Sequence, residues 1–392
     1  MNLFRRLVPL AFLFILPIIT SCSSSGHSGR SDVSYSIDSL FQDRFAKGEP
    51  GAIVMIMRGD SVAYNRAFGV ARLDDREKIC DTTLFNIGNS SKQYSAVALM
   101  KLKEDGLISL DDSISKYLYE FRSPAMDRVT PRQVLSFTSG IPEMRPTNEK
   151  EWNEYASRHK TAFSNLNDYR KYALARESTK CLEFLDSLDF EPGTAYEYET
   201  LPYQLILRIL ENVTGKEYVQ WMDSVIFRPN GLERTSFITP LFPQNQIAHA
   251  YRPVASDSVD APEWQEYDYG EVDFFSTKPD VGLFTSASDY LKWAKALFDG
   301  KIVSKESVEE LIAPVAGTDL PRTFSALGFF VEHMQQGRRK IYNSGNNGGF
   351  GAATAYFPET GLIYLVFSNR SDFDVDAAAK EIDRILKLRS WI

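Results

Sequence analysis

The sequence predicts an α/β domain in which both chain ends complete one antiparallel sheet, flanked by helices, with a mostly helical part inserted between them. Three observations carry this. Strand-like runs flank a turn near the N-terminus, at Ala52–Met57 and Ser61–Tyr64. A second pair, Ala352–Phe357 and Leu362–Phe367, lies near the C-terminus. The stretch between carries helical spacing. Strands at both ends and helices in the middle fit a sheet closed by the two termini.

The first segment reads as an address. Arg5 and Arg6 precede an apolar run, Leu7–Ile19. That run is too short to cross a bilayer as a helix but suits a signal-peptide core. Ile19-Thr20-Ser21-Cys22 resembles the lipobox of bacterial lipoproteins, which implies cleavage before Cys22 and its acylation. Ser23–Asp32 is polar and Gly/Ser-rich, as a flexible tether is. The expected organisation is a signal peptide over 1–21, a tether over 22–33 after lipidated Cys22, and one domain over 34–392. Within it, 34–130 and 275–392 form the α/β part and 131–274 the mostly helical part. The chain is then expected to be exported and lipid-anchored in a bacterial cell envelope.

The N-terminal hairpin turns at Arg58-Gly59-Asp60, a tripeptide fully explained as a turn. A helix follows over Ser90–Asp105, with Tyr94, Val97, Ala98 and Leu102 on one face and Gly106 as its stop. Met144–Asp189 is polar and helix-compatible. Pro202–Thr214 repeats the helical pattern through Tyr203, Ile206, Leu210 and Val213, and Gly215 ends it. Ala287–Phe298 is amphipathic, capped by Ser286 or Ser288 and stopped by Gly300. After the C-terminal hairpin, Val375–Leu388 places Val375, Ala378, Ala379, Ile382, Ile385 and Leu386 on one side.

Composition excludes several functions. The charge is −8, with no basic stripe for phosphates, so no nucleic-acid partner is expected. His27, His159, His249 and His333 show no metal-ligand spacing, and no metal is expected. Gly345-Asn346-Asn347-Gly348-Gly349 lacks the Lys-Ser/Thr ending of a phosphate loop, and no cofactor is expected. Whether Cys80 and Cys181 pair stays open.

One constellation carries chemistry. Phe85-Asn86-Ile87-Gly88-Asn89-Ser90-Ser91-Lys92 resembles the segment around the nucleophile of the class C β-lactamase-like serine hydrolases. That family includes β-lactamases, penicillin-binding proteins, D-aminopeptidases and esterases. Further similar segments follow in family order: Gly106–Tyr117, Thr138-Ser139-Gly140-Ile141-Pro142, Pro192-Gly193-Thr194 with Tyr198, Gly282-Leu283-Phe284 and Pro358–Asn369. The resemblance spans roughly Ile37 to Leu386 and implies the β-lactamase/transpeptidase-like fold.

The family's chemistry uses a serine and a lysine as S-x-x-K, a Tyr-x-Asn, and a His-x-Gly or Lys-Thr-Gly on an edge strand. The resemblance puts Asn89 at the nucleophile position and Lys92 at the lysine. Tyr198 and Thr200 fall on the second motif, Asn343 and Gly345 on the third. The backbone N–H groups of Asn89 and Asn346 correspond to the oxyanion hole. Lys92, Tyr198 and Gly345 match; Asn89, Thr200 and Asn343 depart. Phe137 stands where a histidine often precedes Thr-Ser-Gly. A carboxamide nitrogen is no acyl acceptor, and asparagine is a good N-cap, which gives Asn89 a structural role at a helix start.

The leading expectation is an envelope lipoprotein of this family with a degenerate site, inactive or impaired in acyl transfer, whose cleft binds a cell-wall peptide or small molecule. The alternative is an active amide or ester hydrolase using Ser90, Ser91 or a water activated by Lys92 and Tyr198. Helical geometry turns both serines away from position 89. A third expectation, a scaffold whose surface binds a protein partner, leaves the cleft unused.

Overall fold

The structure is a computed structural model. It describes residues 32–42, 44–45, 48–143, 148–158, 164–166, 179–237, 246–254, 263–267 and 277–392. The signal-like segment, Cys22, most of the tether, His27, His159 and much of the stretch between Met144 and Asp189 lie outside the described residues.

In chain order the strands are β1 (Ala52–Arg58), β2 (Ser61–Phe68), β3 (Leu84–Asn86), β4 (Thr235–Phe237), β5 (Tyr251–Val254), β6 (Glu263–Glu266), β7 (Leu283–Ser286), β8 (Ala316–Gly317), β9 (Thr323–Ser325), β10 (Phe330–His333), β11 (Arg339–Asn347), β12 (Phe350–Phe357) and β13 (Leu362–Ser368). The main sheet is antiparallel, in the order β2-β1-β13-β12-β11-β10-β9-β8. β1 pairs β13 from Ala52↔Ser368 to Arg58↔Leu362. The two terminal hairpins thus share their inner strands, and the chain ends complete one sheet.

Period-two alternation divides the sheet residues between two cores. Ile53, Met55, Ile363, Leu365 and Phe367 enter one; Val54, Ile56, Leu362, Tyr364 and Val366 enter the other. The terminal helices Asp32–Gln42 and Val375–Leu388 cover the second face. The last helix buries the six residues that its sequence pattern predicts.

The first face packs on the helix Ala287–Phe298, and the helix Lys92–Glu104 joins the same core. This helix differs from its sequence reading. It begins as a 3-10 turn, Gly88–Ser91, and only then becomes α-helical. It also hides every residue from Lys92 to Met100, not one stripe. The cause is position: the helix runs through the middle of the larger core, with the helices Leu205–Thr214 and Lys305–Leu311 packed against it, so polar groups need internal partners. Gln93 accepts from Trp293 Nε1 at 3.1 Å, and Ser95 Oγ meets the Tyr218 hydroxyl at 2.9 Å.

Between 131 and 274 the described elements include the helices Pro131–Leu135, Glu149–Arg158 and Leu205–Thr214, with the short strands β4, β5 and β6. The predicted Pro202–Thr214 helix opens as a 3-10 turn, Leu201–Gln204. Ser286 caps Ala287–Phe298 by accepting from the Asp289 N–H. Cys80 and Cys181 are not joined by a disulfide. Among the described residues no helix is long and apolar enough to cross a membrane.

Candidate active site

The turn Gly88–Ser91 is held from three directions by short polar side chains. Buried Asn86 accepts from Gly88 N–H at 2.9 Å and from Asn347 Nδ2 at 3.1 Å, and donates to Val281 O at 3.0 Å. Ser91 Oγ donates to Gly88 O at 2.7 Å and accepts from Leu283 N–H at 3.2 Å. Gln93 Nε2 donates to Ser90 O at 2.9 Å.

β11 lies against this turn. Its pairing with β10 ends at Tyr342, so no described strand pairs with Asn343–Asn347 on that side. Backbone approaches backbone here, and glycine permits it. A Cβ on Gly345 would stand 2.3 Å from Ile87 O and 2.6 Å from Asn89 N. A Cβ on Gly88 would stand 2.9 Å from Asn346 N. The structure therefore brings Gly345 and exposed Asn346 to the same turn as Asn89.

Asn89 is half-buried, and its Oδ1 accepts from Lys92 Nζ at 2.6 Å. That corrects the capping role read from sequence: Ile87 is the N-cap of the 3-10 turn and Ser91 that of the α-helix. The side chain of Asn89 is turned to Lys92 instead. Lys92 is only 2% exposed. Its ammonium lies 5.2 Å from the Tyr198 ring centroid and 5.5 Å from that of Tyr203, within cation–π range. Asn89, Lys92 and Tyr198 thus come together.

The other predicted residues do not join them. Ser90 is fully buried, and its Oγ has no hydrogen-bond partner among the described residues. Ser91, 1% exposed, spends its hydroxyl on Gly88 and Leu283. Asn343 turns its amide to Gly328 O at 2.9 Å. Thr200 gives its backbone N–H to Glu143 Oε2 at 2.6 Å, and Leu201 N–H joins it at 2.9 Å.

Three residues of the site escaped the sequence reading of their roles. Phe137 is buried at φ 59° and lies 4.7 Å from the Tyr198 ring, 5.1 Å from that of Tyr203 and 5.9 Å from that of Phe330. These rings form one aromatic wall beside Lys92. Tyr203 reads as a helix-stripe residue; its hydroxyl donates to Leu135 O at 2.6 Å and its ring faces Lys92. Glu199 sits at the middle of Tyr198-Glu199-Thr200 with 4% exposure. Burial first, then the carboxylates of Glu197, Glu143 and Asp189, push its carboxyl up to about 9.

The arrangement offers a buried ammonium, an aromatic wall and an open strand edge. At position 89 it offers an amide whose oxygen already accepts a hydrogen bond from the lysine, in place of a hydroxyl that could attack.

The family model described as Beta-lactamase matches residues 37–387. Protein flp of Staphylococcus aureus (strain MW2) is 26% identical over 269 residues, covering 67% of this chain and 49% of its own. The same protein from strain COL is 25% identical over 350 residues, covering 86% and 63%. The chain therefore spans about half to two-thirds of the length of these relatives. Among solved structures, the octameric penicillin-binding protein homologue from Pyrococcus abyssi superposes with a TM-score of 0.70 at 23% identity, covering 87% of this chain and 74% of that one. The D-amino acid amidase from Ochrobactrum anthropi SV3 gives 0.71 at 19% identity, covering 92% and 100%.

Proposed function

This chain belongs to the Beta-lactamase family and has the β-lactamase/transpeptidase-like fold, and we propose that it is a member whose cleft binds a peptide and does not carry out serine acyl transfer. The observation that carries this reading is the 2.6 Å bond from Lys92 Nζ to Asn89 Oδ1. In a serine hydrolase the lysine takes a proton from the nucleophile; here it gives a hydrogen bond to an amide oxygen, and no bond can form to a substrate carbonyl. Losing the serine of an unrelated triad enzyme costs on the order of a million-fold in turnover.

The ligand class follows from the edge of β11. Backbone groups of Asn343–Asn347 face a side on which no described strand pairs, and an extended peptide can add there as a strand. A cell-wall stem peptide fits an exported family member. We infer the export from Leu7–Ile19 and the lipid anchor from Cys22; loss of labelled-lipid incorporation in Cys22→Ala tests it.

The deciding experiment is intact mass after incubation with a penicillin and with a reactive fluorophosphonate, for wild type beside Asn89→Ser, with calorimetric titration of stem-peptide fragments. Binding with no wild-type adduct is expected. An adduct mapped to Ser90 or Ser91 makes the protein an enzyme and overturns the reading. Absence of measurable peptide binding removes its ligand.

A further inference from the structure

A cluster of acids lies behind the Tyr198 wall. One carboxylate oxygen from each of Asp189, Glu197 and Glu199 lies within 4.8 Å of the others. Asp189 and Glu197 are exposed, while Glu199 is 4% exposed and its Oε1 has no hydrogen-bond partner among the described residues. A carboxyl that deep, with Oε1 unpartnered and two other carboxylates beside it, lacks the compensation that a buried charge needs.

The backbone builds the cluster on purpose-made ground. Asp189 N–H donates to Gly140 O at 2.8 Å, and Glu197 N–H donates to Phe137 O at 3.0 Å. Gly193 N–H donates to Thr138 O at 2.8 Å between them. One short segment, Phe137–Gly140, therefore holds both arms at fixed separation. Along the second arm the side chains alternate. Tyr198 goes to the cleft beside Lys92, and Glu197 and Glu199 go to the cluster.

We propose that Asp189, Glu197 and Glu199 bind a divalent cation of hard, oxygen-seeking type, Ca2+, on the back of the cleft wall. The donor set fits: Ca2+ takes carboxylate oxygens at about 2.3–2.6 Å, so two of its ligands stand at most about 5 Å apart. The spacing in the cluster is within that limit. Three ligands from two chain segments leave room for water and backbone oxygens to complete the shell. The bound ion fixes Glu197 and Glu199, and so holds Tyr198 between them against the cleft. This site is independent of whether the cleft acylates or binds.

The test uses the full chain after removal of metals with EDTA. Melting temperature and calorimetric heat are followed against CaCl2, with NaCl at matched ionic strength beside it. Tyrosine-sensitised Tb3+ luminescence, displaced by Ca2+, gives a readout that does not depend on stability. The expected result is saturable binding with a Kd on the order of 0.1–1 mM, a value common in extracellular sites. Melting should rise by about 2 °C or more at saturation. Glu197→Gln and Asp189→Asn alter exposed side chains and should leave the fold intact, while weakening binding by about tenfold or more. A rise matched by NaCl alone, or binding unchanged in both variants, overturns the proposal. So does an absence of saturable heat in the wild type, which leaves Glu199 neutralised by a proton alone.

Discussion

Lys92 Nζ donates to Asn89 Oδ1 across 2.6 Å, three residues apart at the start of one helix. The ammonium is buried, with Tyr198 and Tyr203 on its flank. A hydrogen bond to a charged group contributes about 1.5–3 kcal/mol. Asn89→Ala should therefore lower the unfolding free energy by about that amount in urea titrations. Asn89→Asp keeps an acceptor in reach and should lose less. Equal losses in both variants would show that this bond does not hold Lys92.

Gly345 has no room for a methyl group. Its Cβ would sit 2.3 Å from Ile87 O, 2.6 Å from Asn89 N and 2.8 Å from Ser90 N, all backbone atoms that a rotamer change cannot move. Gly345→Ala should cost about 1–3 kcal/mol and part β11 from the turn that carries Asn89. Gly317→Ala, where nothing lies within 4 Å, should stay within about 0.5 kcal/mol. Chemical denaturation of the two variants side by side checks this, and equal stability would refute the close approach.

The two terminal hairpins and the last helix were legible because period-two and period-3.6 patterns survive in sequence wherever one face is buried; the helix Asp32–Gln42 and the strands from Ala316 to Asn347 were not read. Val375–Leu388 kept such a stripe. Lys92–Glu104 did not, because burial on all sides erases the polar face on which the pattern depends. At the site, Asn89, Lys92 and Tyr198 were legible through spacing that a family shares. Their neighbours were not. Phe137, Tyr203 and Phe330 meet from three separate segments, and no local pattern announces a contact of that kind. Asn89 misled in a different way. Its preference for helix starts is real, but Asn89 lies inside the opening 3-10 turn, past its N-cap, and its oxygen accepts from the lysine three residues on.

Phe137 anchors the aromatic wall and Tyr198 rides on it. The first is 4% exposed and the second 40%. Removing a buried phenyl ring costs about 3–5 kcal/mol, so Phe137→Ala should be strongly destabilising. Its φ of 59° gives back only a fraction of this, since alanine suffers the same backbone strain. Tyr198→Ala should cost about 1 kcal/mol or less. Thermal unfolding orders the two, and a larger loss from Tyr198 would mean that the wall is built from the cleft inward.

Glu199 ties stability to pH. Burial, with Glu197, Glu143 and Asp189 around it, raises its carboxyl from an ordinary 4.5 to about 9 in the folded chain. Between those values the folded state holds a proton that the unfolded state has released. Stability is then fully present below pH 4.5 and is lost as pH rises through the folded value. The slope reaches about 1.4 kcal/mol per pH unit at most. Glu199→Gln carries no titrating group, so its stability measured from pH 5 to 9 in EDTA should fall less steeply than that of the wild type. Glu197→Gln removes one of the repelling charges and should give an intermediate slope. Parallel profiles for wild type and Glu199→Gln would mean that the carboxyl finds solvent or a partner, and that the loop around Tyr198 opens to provide it.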